Sequence, residues 1–182
     1  MSNYTDIVEP LTWTQGTEGA ILSLTEQVLI WSARTWVIHY HRGSDPYPAI
    51  DPVFRLLSAP KVPVALNRFL AILGLHAMRP IEIRCAKQAG VSRDEIRLLV
   101  AIGSAQHARL LSQTSLAVER TIATWFDQAG RCPGRNTLFD LADQLTAAGI
   151  DIPLRSYESA AEPLNPGPSQ ECVTLRRRMP NI

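Results

Sequence analysis

The chain has 182 residues, 46% of them hydrophobic and 19% charged, with 18 basic against 17 acidic side chains and a formal net charge of +1. One core at this size buries roughly 70% of the unfolded surface, so stability needs neither metal nor disulfide, and the composition excludes a disordered protein. With a pI of 7.8 there is no global field for nucleic acid, because duplex-binding domains usually have a basic face and a pI above about 9.

The basic residues are nearly all Arg, with Lys only at Lys61 and Lys87. Asp6, Glu9, Glu18 and Glu26 precede the first basic residue, Arg34, whereas Arg176, Arg177 and Arg178 form a small basic patch near the C-terminus. Cys85, Cys132 and Cys172 are too widely spaced for a disulfide framework or a zinc motif, and an odd number cannot all pair within one chain. Their reading is reduced thiols. Residues Met1 to Asp6 have no basic or apolar leader character, and the longest strongly apolar stretches, such as Phe69 to Met78, run about ten residues, short of the roughly 18 a bilayer span requires. A soluble, cytoplasmic protein is expected.

Residues 1–16 mix polar, Pro and aromatic residues without period and predict an irregular lead-in. A helix is predicted from Thr17, with Leu22, Leu29, Ala33, Trp36 and Tyr40 on one face and Ile21, Leu24, Val28 and Trp31 on a second. Apolar over so much of its circumference, it should be central, and Gly43 should cap it. Asp51-Pro52 predicts a short helix to about Leu57, with Asp as N-cap and Pro in the first turn. A third helix runs from Pro63 to about Met78 on Leu66, Phe69, Leu70, Leu73 and Ala77, and Arg79-Pro80 ends it.

Ile81-Glu82-Ile83-Arg84-Cys85 reads equally as extended chain or as a first helical turn. Ser92-Arg93-Asp94-Glu95 is a capping box opening a fourth helix along Ile96, Leu99, Val100 and Gly103, with a break or kink expected between Gly103 and Ala108. A fifth helix carries Leu116, Val118, Ile122, Trp125 and Phe126. Asn136 is the expected cap of a sixth, which buries Leu138, Leu141, Ala142 and Leu145 and ends at Gly149. No strand of any length is expected. The whole reads as an all-α, single-domain bundle of five to seven helices over 17–155, followed by a flexible Pro-rich tail over 156–182.

Few patterns carry chemistry. His39 and His41 lie two apart, which on a helix points them about 200° apart, away from any one metal site. Alone or with His76 and His107 they predict no metal. No nucleophile elbow, Cys-x-x-Cys, Ser-x-x-Lys or glycine-rich phosphate loop occurs, so neither catalytic residues nor a cofactor are predicted. Asp94 and Glu95 are best explained by the helix N-terminus they stabilise. Trp36, Tyr40, Phe69 and Trp125 are candidates for lining an apolar ligand pocket between helices, although aromatics at helical spacing are more often core.

Three resemblances attach to the middle of the chain. Ala86-Lys87-Gln88-Ala89-Gly90-Val91-Ser92-Arg93-Asp94-Glu95-Ile96 resembles the helix-turn-helix core of bacterial repressors, which implies DNA contacts from Arg93 and Arg97. Against that stand Asp94 and Glu95 at the helix mouth. The Ala-Gly-Val-Ser-x-x-Glu-Ile run also resembles alkylhydroperoxidase-D-like and carboxymuconolactone decarboxylase-like enzymes. Thiol members of that family use Cys-x-x-Cys followed by His, and here Cys85 and Cys132 stand alone. Across residues 20–128, Trp36, Arg79-Pro80, Val91-Ser92-Arg93-Asp94-Glu95 and Gln106 resemble an uncharacterised group of small all-helical bacterial proteins, which implies an extended link at 81–91. The leading functional expectation is a non-enzymatic interaction or regulatory module that pairs with a second copy through the first helix. A DNA-binding regulator using 86–97 and an apolar-ligand binder are the alternatives.

Overall fold

A computed structural model describes residues 22–86, 88, 90–111 and 115–154, together with the backbone of Thr174–Leu175. Among them run six helices, α1 (Leu24–Arg42), α2 (Tyr47–Leu56), α3 (Val62–His76), α4 (Arg93–Leu111), α5 (Leu116–Trp125) and α6 (Arg131–Ala147). The fold is all-α, as the periodicity predicted. The expected irregular lead-in and most of the expected flexible tail lie outside the described residues.

Local chemistry explains where the boundaries depart from expectation. Helix α1 begins at Leu24, not Thr17, because Ser23 and Glu26 form a reciprocal capping box there. At its other end Gly43, with φ +67°, and Ser44 donate to the carbonyls of Tyr40 and His39, the expected stop. Helix α2 starts before Asp51. The Asp45 carboxylate accepts from the Tyr47 amide and the Pro46 carbonyl takes the amides of Ala49 and Ile50, so Pro52 lies inside the helix on its exposed side. Asp51 there accepts from Arg55 one turn on, at 2.5 Å.

Helix α4 runs without interruption through Gly103, where a break was expected. A Cβ at Gly103 would stand 3.0 Å from the carbonyl oxygens of both Ile152 and Pro153, so the glycine marks a close approach of chain to helix. One turn later Gln106 grips the same segment, donating to Ile150 O at 2.8 Å and accepting from Ile152 N at 2.9 Å. Helix α6 likewise starts five residues before Asn136, which is an exposed interior position. The Asp127 carboxylate accepts from Gly130 N, and Gly134 leaves room for the Phe126 ring.

Helix α6 packs across α3 and α4, while α1 lies on α2 and α3. The core gathers Leu29, Ile30, Ala33 and Val37 of α1, Leu66, Phe69, Leu70 and Leu73 of α3, Leu98, Leu99 and Ile102 of α4, and Leu138, Leu141 and Leu145 of α6. From Thr25 to Tyr40 no residue of α1 is more than partly exposed, but α6, across α3 and α4, is the central helix, and α1, expected to be central, packs on α2 and α3 beside it. The ends of α3 and α5 are tied by main-chain bonds, Met78 N to Trp125 O and Asp127 N to His76 O.

One departure concerns strands. Residues β1 (Ile81–Glu82) and β2 (Thr174–Leu175) pair antiparallel, Ile81 opposite Leu175 and Glu82 opposite Thr174. The ambiguous stretch therefore begins extended, then turns where Gln88 N donates to Cys85 O. Among the described residues none between His76 and Arg93 is helical.

Candidate functional site

The densest polar chemistry lies where the 79–92 link meets the first turn of α4. The capping box at 92–95 forms as predicted, Glu95 N donating to Ser92 Oγ at 3.1 Å and Ser92 N to Glu95 Oε2 at 2.7 Å. A capping box needs only Ser92 and Glu95, yet both carboxylates of Asp94-Glu95 are buried, which helix-end stabilisation alone does not explain.

Glu95 faces Arg34 of α1, and both side chains are fully buried. Arg34 Nε donates to Glu95 Oε1 at 2.6 Å and Nη2 to Oε2 at 2.8 Å, a two-pronged pair. The remaining guanidinium hydrogens reach main-chain carbonyls of the link, Nη1 to Gln88 at 2.8 Å and Cys85 at 3.5 Å, Nη2 to Gly90 at 2.6 Å. All five donors are thereby used. Glu95 Oε1 also accepts from Arg84 N at 2.9 Å. The link is thus folded around one guanidinium, and Gly90, with φ +76°, supplies the left-handed turn that aims its carbonyl inward.

Asp94 forms the second half of the clamp. It accepts from Arg79 through both oxygens at 2.5 and 2.9 Å, from Glu82 N at 2.9 Å, from Arg97 at 3.1 Å and from the Trp125 indole at 3.4 Å. Burial pushes the Asp94 carboxyl up, but hydrogen bonds from Arg79, the Glu82 amide and Arg97 outweigh it and hold the group below the usual carboxylate range. Ser92 Oγ donates to Glu82 O at 2.5 Å and closes the ring. Every oxygen of Asp94 and Glu95 is engaged by protein groups, so the cluster offers a ligand no unspent acceptor and acts as a structural clamp.

The residues singled out from the sequence fall in different places. Arg93 is exposed at the mouth of α4, and Arg97 is turned onto Asp94. The two-helix geometry implied for 86–97 is not formed, because α3 ends at His76 and Ala86 lies in the turn of an extended link. The physical reason is that Arg34 templates the link through its carbonyls, which a helical backbone would spend on itself. The four aromatics proposed for a pocket divide among core contacts. Trp36 stacks on Tyr40 at 4.9 Å and donates to Asn67 at 2.7 Å, Phe69 meets Phe126 edge-on at 6.2 Å, and Trp125 points at Asp94. Apart from Tyr40, which is partly exposed, these rings are buried.

The histidines are spread out. His39 bonds Ser44, His41 meets the edge of the Tyr40 ring, His76 bonds Asp127 at 3.1 Å, and His107 is exposed. Among the described residues no three His, Cys, Asp or Glu side chains converge as metal ligands, and no helix is long and apolar enough to cross a membrane. Cys85 and Cys132 are free thiols. Arg34 belongs to no local motif that marks it as a clamp residue. Its signal was a lone cation between Ala33 and Trp36 on the apolar face, with an acidic pair downstream where a cap needs one.

No family model, no curated protein and no solved structure matches the chain.

Proposed function

We propose that the protein is a cytoplasmic, non-enzymatic helical interaction module that pairs with a second copy through α1. The observation that carries this reading is the outer face of that helix. Between Leu24 and Tyr40 the charged residues are Glu26 and Arg34, and both are fully buried. What remains accessible includes Leu24, 71% exposed, and the partly exposed Val28, Trp31, Thr35 and Ile38. These positions recur at spacings of four and three, the repeat with which one helix seats on another. Solvent-facing helix surfaces ordinarily carry charge, and a stripe without it is self-complementary under a two-fold axis.

The clamp supports the same reading from inside. It spends the strongest acid and base groups on holding the link, so they are not offered to a substrate. The free thiols fit a reducing compartment.

Leu24→Glu places a charge on the stripe at a residue that is 71% exposed and not part of the core. Sedimentation of the unaltered chain at tens of micromolar should give a dimer, and the variant a monomer with an unchanged melting temperature. A monomer from both proteins overturns the pairing.

A further inference from the structure

The stripe along α1 reads nearly the same from either end. Leu24 and Ile38 are isomers, seven residues on either side of Trp31, and Val28 and Thr35 have the same branched outline three and four residues from it. At 1.5 Å per residue the stripe is about 21 Å long. A second copy can therefore lie along it in either direction with similar side chains in each layer, so packing alone does not choose the direction. The ends of the helix do differ. The first turn holds Glu26, whose Oε2 accepts from Ser23 N at 2.7 Å, and the last turn holds His39, His41 and the exposed Arg42. The macrodipole contributes about half a unit of positive charge at the first turn and half a unit of negative charge at the last. The Glu26 and Arg42 side chains outweigh it, which leaves one end acidic and the other basic.

We infer that the two copies lie antiparallel across a two-fold axis at Trp31, an inference that rests on the pairing proposed above and fixes its geometry. In that arrangement Leu24 of one copy meets Ile38 of the other, Val28 lies beside Thr35, and the accessible edges of the two Trp31 rings meet at the axis. The acidic first turn of each α1 faces the basic last turn of the other, at both ends of the seam. A parallel pair sets each turn against its own copy, Arg42 against Arg42 and Glu26 against Glu26, with the macrodipoles aligned. Like charges side by side oppose association, and charges flanking a helical seam set its direction. Leu24 and Ile38 both lie outside the core cluster, so charge can be placed at either without disturbing the fold.

Charge-pair rescue in the full chain, followed by sedimentation equilibrium, reads the direction. Leu24→Glu and Ile38→Lys should each weaken pairing while keeping the melting temperature of the unaltered chain. Combined in one chain, the two substitutions face each other twice in the antiparallel dimer. The double variant should then pair at least about fivefold more tightly than Leu24→Glu alone. An equimolar mixture of Leu24→Glu and Leu24→Lys chains should stay unpaired, because position 24 does not meet itself across the axis. Rescue in that mixture, or none in the double variant, overturns the antiparallel arrangement. Failure of the underlying pairing looks different: the unaltered chain is then a monomer, or Leu24→Glu leaves its dimer intact, and the direction falls with it.

Discussion

Arg34 and Glu95 illustrate what a buried ion pair does and does not contribute. Taking two charges out of water costs several kcal/mol each, and their attraction roughly offsets it when the geometry is good, so the pair adds modest net stability while its disruption is severe. Glu95→Gln keeps the shape but leaves the Arg34 cation buried, and aims an amide hydrogen at existing donors. Chemical denaturation should show a loss of about 3–5 kcal/mol. Arg34→Met should cost a comparable amount, and the double variant should cost clearly less than the sum, since the two residues share one network. Asp94 gives the clamp a pH dependence of definite sign. Its carboxyl titrates below the value of about 3.9 it has in an unfolded chain, so its contribution is complete above that pH and disappears as pH falls through the folded value. An acid titration of stability should be shallower in Asp94→Asn than in the unaltered chain below about pH 4. Equal slopes would remove Asp94 from the clamp.

At the scale of elements, the sequence made helix existence legible and several helix ends illegible. Apolar repeats such as Leu66, Phe69, Leu70 and Leu73 identify a buried face wherever the helix happens to begin. Ends depend on single hydrogen bonds, and two Asp-Pro signals compete at α2, where the turn at Asp45-Pro46, its carboxylate accepting from Tyr47 N, starts the helix ahead of Asp51. Gly103 reads as a helix breaker because a breaker and a close-packing site look alike in sequence. Only the neighbouring carbonyls of Ile152 and Pro153 tell them apart. The consequence is testable at Gly103. An added methyl has to displace two main-chain oxygens of the 150–153 segment, so Gly103→Ala should destabilise by about 1–3 kcal/mol despite alanine's better helix propensity, as strain from overpacking does. A stabilised Gly103→Ala protein would mean that the segment yields freely. The candidate site was half legible, because the capping box at 92–95 is a local pattern. The partner of Glu95 lies 61 residues away on α1, and no local pattern announces it.

For the whole molecule, the clamp and the α1 stripe are two sides of one helix. The inner side of α1 buries Arg34 and organises the link, and the outer side carries no charge from Leu24 to Tyr40. A helix packed on one side and uncharged on the other is what the proposed pairing requires. The most direct test is native mass spectrometry of the freshly purified full chain, because one spectrum reports both assembly and any bound molecule. The account predicts a species at twice the 20.2 kDa chain mass, free of adducts and reduced to single chains by Leu24→Glu. A monomer at micromolar concentration would contradict it. A stoichiometric small-molecule adduct would contradict it as well, in favour of a ligand-binding protein.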